Sequence, residues 1–489
     1  MTVKVTKLAD MYEGYLHRAA GAKLANPGAA RQAFLNEFRH RLGLCDRAGN
    51  DYHDKVGNRV LRECADEQLR FTSDDFSIRE MMEGIVGPGY SQFLQSAEAF
   101  VAWRNNNFAA NKRYADDPRA LLEGYGQTLL EAGGVGSPVG PSAFADINAW
   151  TAANSGLLER RILEQFVNPE FIGDTICPDE QTRIAEGQKV IGVANIADFP
   201  EERQPGMPHF RTTLQPRYVT LPRTADRALA IDVTFEAAFF DLTGQVLETA
   251  AAVGKRVALS KELRKIDAVI GVDASTGLST GRNAFNYKGT AYAQFSGTES
   301  LPIPKNSQSN PLTDGNFDTI KASWLLLKRM RDPETGTRIQ VNADTILTGL
   351  EGYVTANLIV NAIDVQRRTA GALTQATANT LVVQNTPNNP ASIGGPLGIR
   401  RVLTSSLLEQ RMLDTDGLAL SAANAAKYFW HLEAGTSHKN MVNFPLTVQQ
   451  MPMASSYEMT DRKIVQTTFV SERSTPSVWS IWHILRNTN

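Results

Sequence analysis

At 489 residues the chain has room for about two to four folding units, and a content of 42% hydrophobic and 21% charged residues is ordinary for a chain with a buried core. A formal net charge of −2 excludes the strongly basic surface that clamps nucleic-acid phosphates; the pairs Arg329/Arg331, Arg367-Arg368 and Arg400-Arg401 read as solvated surface. Three cysteines, Cys45, Cys64 and Cys177, with no CxxC and no histidines at zinc-ligand spacing, exclude a disulfide scaffold and fit a reducing compartment.

The first ten residues lack the apolar core of a signal peptide, and no apolar run approaches the ~18–20 residues that cross a bilayer. No membrane partner is therefore expected. Residues 1 to about 130 read as polar and mostly helical, with helices over Asn26–Leu44 and Val56–Arg70. A capping box, Ser77 followed by Glu80, precedes Met81, Met82 and Ile85. Glu131–Pro141 is Gly- and Pro-rich and reads as a linker. A helix follows from Ser142 or Asp146 to about Phe166, and Asn168–Pro178 turns the chain into extended structure.

From Pro208 to Glu236 the chain is rich in Thr, Val, Tyr and Phe and interrupted by Pro216 and Pro222, which predicts a partly exposed β-ribbon. A proline-free stretch from Asp241 or Thr243 to Gly271 comes next. Its apolar residues Val246, Ala250, Val253, Val257, Leu263, Ile266 and Ile270 mark one face of a helix. At 1.5 Å per residue that helix is roughly 40 Å long. Gly271–Pro311 is turn-rich around a short aromatic strand, Tyr287–Phe295. Asp314 or Asn316 caps a helix over Phe317–Arg331, which Asp332-Pro-Glu-Thr-Gly336 ends. A strand at Thr345–Thr348, a helix over Leu350–Ile363, and strands beginning at Gly394, Lys463 and Val478 complete the chain. No repeat of 20–50 residues argues for a solenoid.

Motifs that could carry chemistry are weak, and no catalytic, cofactor-binding or metal-binding residue is assigned. Gly277-Leu-Ser-Thr-Gly281 has the G-x-S-x-G form but follows a helix, where a nucleophile elbow needs a strand; a hydrolase using Ser279 is the alternative of a different class. Gly254-Lys255-Arg256 lacks the Ser or Thr of a phosphate loop and lies inside a helix. His431, Glu433 and His438 do not have the HExxH spacing, and Asp414-Thr-Asp-Gly417 lacks the ligands of a calcium loop. Trp324 and Trp430 read as core or interface anchors.

The order of these segments resembles the major capsid proteins of tailed bacteriophages, with the Hong Kong 97-like fold. Phe171-Ile-Gly-Asp-Thr-Ile-Cys-Pro178 is similar to the family's lead-in after the N-terminal arm. Arg203–Thr234 resembles the extension loop, and Thr243–Gly271 the spine helix. Leu312–Gln340 resembles the helix before the central axial strand, and Asp461–Arg473 with Val478–Trp482 the closing strand pair. The resemblance covers roughly Asn168 to Leu485. It implies an α+β fold with an extension loop, a long spine helix, and peripheral and axial domains. An appended, mostly helical N-terminal region, either a removable internal scaffold or an extra domain, precedes it.

The segments expected are 1–140 for that region, 141–200 for the N-terminal arm, 201–240 for the extension loop, 241–310 for spine helix and peripheral domain, and 311–489 for the axial domain and returning strands. The implied function is self-assembly as pentamers and hexamers into an icosahedral shell around double-stranded DNA that is touched without sequence preference. A bacterial protein compartment of the same fold is the alternative. The implied partners are the chain itself, a portal, and scaffold, protease or decoration proteins. The implied place is the virion, assembled in the host cytoplasm, and no enzyme activity or cofactor is expected. Subunit contacts are expected at Arg211, Arg217, Arg223 and Arg227 of the ribbon and at Glu236, Lys255, Arg256 and Glu262 near the long helix. Nothing in the sequence supports covalent cross-linking.

Overall fold

The computed structural model describes residues 11, 27–62, 70–72, 75, 141–166, 171–193, 216–234, 245–272, 285–300, 302–313, 317–333, 336–361, 365–367, 384–386, 397–452 and 464–489. The chain is α+β and divides into two compact units. The first comprises 1–168, 226–258 and 444–472; the second comprises 169–225, 259–443 and 473–489. The expected capping box at Ser77, the linker up to Gly140, Cys64 and the G-x-S-x-G segment lie outside the described residues.

In the first unit, helix α1 (Pro27–Arg41) and helix α2 (Pro141–Phe166) are the expected helices. The stretch from Val56 departs from expectation. It opens inside the second of two turns spaced by eight residues, Asp46-Arg-Ala-Gly-Asn50 and Asp54-Lys-Val-Gly-Asn58, and none of its described residues is helical. In each, the aspartate accepts hydrogen bonds from backbone N–H groups two and four residues on, and from the Asn side chain. Gly49 and Gly57 take φ of +88° and +94°. Local Asx bonding of this kind competes with a helix and here wins.

The second unit begins with a short helix α3 (Gly173–Ile176) and strands β1 (Asp179–Gln181), β2 (Lys189–Val193) and β3 (Pro216–Thr220). Strand β4 (Ala225–Thr234) and helix α4 (Gln245–Ile270) follow, and both give residues to the two units. The ribbon expected from Pro208 to Glu236 is not one hairpin. Strand β3 pairs antiparallel with β2, from Lys189 opposite Thr220 to Val193 opposite Pro216, and β4 belongs to another sheet. The two-stranded arm therefore starts at Lys189, well before the residues that were expected to form it. Pro216 sits at the last pair of this ladder, and Pro222 lies in the connection to β4.

Helix α4 ends where Gly271, at φ +78°, donates its N–H to the Asp267 carbonyl. A side chain at that position would meet the Phe295 ring at 2.7 Å, so only glycine closes this helix without displacement. The expected apolar stripe holds in the first half of α4, where Lys255 and Arg256 are exposed. In the second half Lys261, Glu262, Arg264, Lys265 and Asp267 are buried too. Gly254 is a packing glycine rather than a phosphate-loop one: a Cβ there would lie 3.0 Å from the Cα of Ile162 in α2.

The next elements in chain order are β5 (Phe285–Tyr287), β6 (Thr290–Tyr292) and β7 (Ser307–Ser309), then α5 (Phe317–Lys328) and β8 (Thr345–Thr348). Helix α6 (Leu350–Asn361), β9 (Val365–Arg367), β10 (Gln384–Thr386), β11 (Arg401–Leu403), α7 (Ser406–Leu413) and α8 (Ala422–Ala425) follow. Strands β12 (Phe429–Leu432), β13 (His438–Pro452), β14 (Ile464–Val478) and β15 (Ile484–Thr488) close the chain. A five-stranded mixed sheet, β11-β8-β12-β15-β7, centres the second unit. Its strands β8 and β12 are buried on both faces. Ile346 and Phe429 face Ile320 of α5 and Ala356 of α6, while Leu347, Trp430 and Leu432 face Ile266 and Val269 of α4 and Leu408 of α7. A four-stranded sheet runs β1-β13-β14-β4, and another β2-β3-β5-β6. Trp482 meets Phe285 edge-on, ring centroids 5.4 Å apart.

His431 lies in the middle of β12, wholly buried, and His438 is wholly buried at the start of β13. Burial pushes their imidazoles down to about 4 and about 3 respectively. The unfolded chain takes up these protons near pH 6.5 and the folded chain does not. Stability from this source is complete above pH 6.5 and falls as the pH drops toward 4. Urea unfolding of a His431→Leu variant at pH 7, 5.5 and 4.5 should show a shallower loss than the native chain; an unchanged slope contradicts the assignment.

Candidate assembly surfaces

Of the expected contact residues, Arg211 and Glu236 lie outside the described residues. Arg217 stands in β3 opposite Gly192, on the arm. Arg223 is exposed just after the arm and lies 3.9 Å from the equally exposed Glu186, a surface pair worth about 0–1 kcal/mol. Arg227 is half-buried in β4, and Lys255 and Arg256 are exposed on α4. Arg217 and Arg223 belong to the second unit; Arg227, Lys255 and Arg256 belong to the first.

Glu262 is the exception. It is 4% exposed and faces inward. One carboxylate oxygen accepts the N–H groups of Ile172 and Gly173 at 2.8 Å each, and the other accepts Gly173 at 3.1 Å. A carboxylate occupied in this way offers nothing to a neighbouring subunit, so it anchors the lead-in segment to α4 instead. Burial holds its carboxyl above the ordinary value despite those backbone donors. Beside it, the buried Lys265 ammonium bonds Asp174 and lies 2.6 Å from Asp179, and Lys261 reaches Asp179 at 2.6 Å. Burial alone would raise the Asp179 carboxyl, but Lys265 and Lys261 hold it well below the usual carboxylate range. Asn440 and Lys439 add bonds to Asp179 and Glu180 where β1 runs parallel to β13.

This cluster explains the glycine in Phe171-Ile-Gly-Asp174. A Cβ on Gly173 would collide with the Glu262 carboxylate and lie 3.0 Å from the Lys265 Cδ. Gly173→Ala should cost about 1–3 kcal/mol by pushing a buried carboxylate off its donors. Thermal unfolding of that variant checks it, and a melting temperature equal to the native one contradicts it.

Helix α6 carries the most prominent exposed apolar strip among the described residues. Gly352, Ala356, Ile359 and Val360 face the core. On the other side Leu350, Tyr353, Val354 and Leu358 are 46%, 36%, 59% and 64% exposed. Asn357 and Asn361 line the same face. Glu351 is the only charged residue in the helix.

The motifs weighed for chemistry disperse. Glu433 accepts the Asn342 N–H at 3.0 Å, His438 faces Gln294 and Ser437, and His431 sits in the sheet. Among the described residues no cluster of three or more His, Cys, Asp or Glu side chains is placed to hold a metal ion. Asp414–Gly417 is a turn in which Gly417 donates to the Asp414 carbonyl. Among the described residues no helix is long and apolar enough to cross a membrane.

No family model matches the chain, and no curated protein matches it. Solved structures similar to it include the capsid of the cyanophage P-SCSP1u, at 11% identity over 65% of this chain and 88% of that one, with a TM-score of 0.37. The capsid of a native GTA particle is similar at 13% identity over 66% and 90%, TM-score 0.37. A virus-like particle from Pyrococcus furiosus is similar at 8% identity over 68% and 97%, TM-score 0.31. Likenesses at these TM-scores carry no argument on their own.

Proposed function

We propose that this chain is a structural shell subunit, the major capsid protein of a tailed bacteriophage. It assembles with copies of itself as pentamers and hexamers around double-stranded DNA. The observation that carries this reading is the succession of the β2–β3 arm and the 26-residue helix α4, followed by a layered α/β unit. An antiparallel pair of this kind is suited to reach across a neighbour. Closed shells need such heterologous contacts between identical subunits. The exposed apolar strip of α6 supports the same reading, because a second copy can cover it without charge repulsion.

Arg211, Arg217, Arg223, Arg227, Glu236, Lys255 and Arg256 are the contact residues of this reading. Glu262 is withdrawn from them. Portal, scaffold, protease and decoration proteins are its further partners, the virion its place and the host cytoplasm its site of assembly. Nuclease treatment of purified particles tests the cargo. Long DNA surviving inside intact particles supports the phage reading, whereas particles that enclose protein and no protected DNA favour the compartment.

A further inference from the structure

We infer that residues 27–62 and 70–72 are a permanent clamp of the first unit, one that stays seated even when the chain is cut between residues 76 and 140. This does not depend on the capsid reading, and it runs against a removable internal scaffold. Phe34, Phe38, Leu42, Leu44 and Phe71 are each at most 2% exposed and share one core with α2, β4 and the first half of α4. Phe38 stands 5.9 Å from Phe71, centroid to centroid.

Two adjacent charges of α2 are satisfied by this segment. The buried guanidinium of Arg160 donates to the carbonyls of Leu42 at 2.6 Å and Phe71 at 2.5 Å, and also bonds Glu164. Glu159, with a side chain 5% exposed, meets Arg59 and lies 3.4 Å from Arg39. Asp51 closes the circuit, 2.7 Å from Arg39 and paired with Arg59. The result is a ring of alternating charge, Arg39–Asp51–Arg59–Glu159. Asn58 extends the seat by accepting the Leu446 N–H of β13 at 3.0 Å, and Gly57 packs on Pro445.

Withdrawing the segment would strip Glu159 of both its arginines, take two acceptors from Arg160, and bare the aromatic core. Breaking buried pairs from one side is strongly unfavourable. Retention is therefore set by contacts and not by the covalent link.

The test places a site-specific protease sequence between Gly136 and Ser137 of the full chain. After cutting, the small piece should co-elute with the remainder in native buffer and part from it only in denaturant. Separation in native buffer overturns the inference, whether the remainder then stays soluble or precipitates. The same cut in an Arg59→Glu chain should release the small piece at least tenfold faster. Release at the unaltered rate would place the seat elsewhere and overturn the inference as well.

Discussion

Replacing Arg411 with Met should cost the second unit about 3–5 kcal/mol, although no surface residue is touched. Arg411 in α7 donates to both carboxylate oxygens of Asp267 in α4, at 2.7 and 3.1 Å, and to the Asp416 carbonyl at 2.8 Å. The side chains are 3% and 2% exposed. Without the guanidinium, Asp267 is a buried carboxylate that has lost its countercharge. Burial already holds its carboxyl above the ordinary value, with Arg411 opposing that shift. The companion variant, Asp267→Leu with Arg411→Met, removes both charges and should recover most of the loss, because an apolar pair of similar volume replaces the ion pair at little cost. Urea unfolding of native, single and double variants measures the cycle. A single-variant cost below about 1 kcal/mol would place the pair in contact with water, against its burial.

Charge reversal at Arg217 is expected to abolish particles while leaving the subunit folded. Arg217 lies in the arm strand β3, opposite Gly192. Like charges brought together at an interface cost several kcal/mol, and each 1.4 kcal/mol is a factor of ten in the contact's equilibrium constant. A shell repeats the contact in every subunit, so the loss compounds. Circular dichroism and melting temperature should match the native chain while sedimentation finds only small species. Particles in normal yield would remove Arg217 from the contacts.

Long local patterns were legible in the sequence, and distant partnerships were not. Helices α1, α2, α4, α5 and α6 all fall where periodicity and turn residues place them, because a helix is written in neighbours three and four apart. The buried charges of α4 could not be read in this way. Lys261, Lys265 and Asp267 find Asp179, Asp174 and Arg411 at separations of 82, 91 and 144 residues, so a run that looks solvated is internal.

The arm shows a similar limit. Pro222 does lie in a break between strands, whereas Pro216 is paired within β3, whose partner is β2. Strand β13 went unread because Pro445 stands inside it. Pro445 packs on Gly57, and the next N–H, of Leu446, donates to a side chain, Asn58, outside the strands. Arg223, Lys255 and Arg256 are exposed and Arg227 is half-buried, while Glu262, read from the same helix as Lys255 and Arg256, points into the core.

Assembly into closed shells is read by electron microscopy of the purified chain at rising concentration. Closed particles of uniform diameter are expected, with class averages that resolve rings of five and six subunits. A homogeneous monomer or small oligomer at every concentration, with no closed particle in the field, would contradict it.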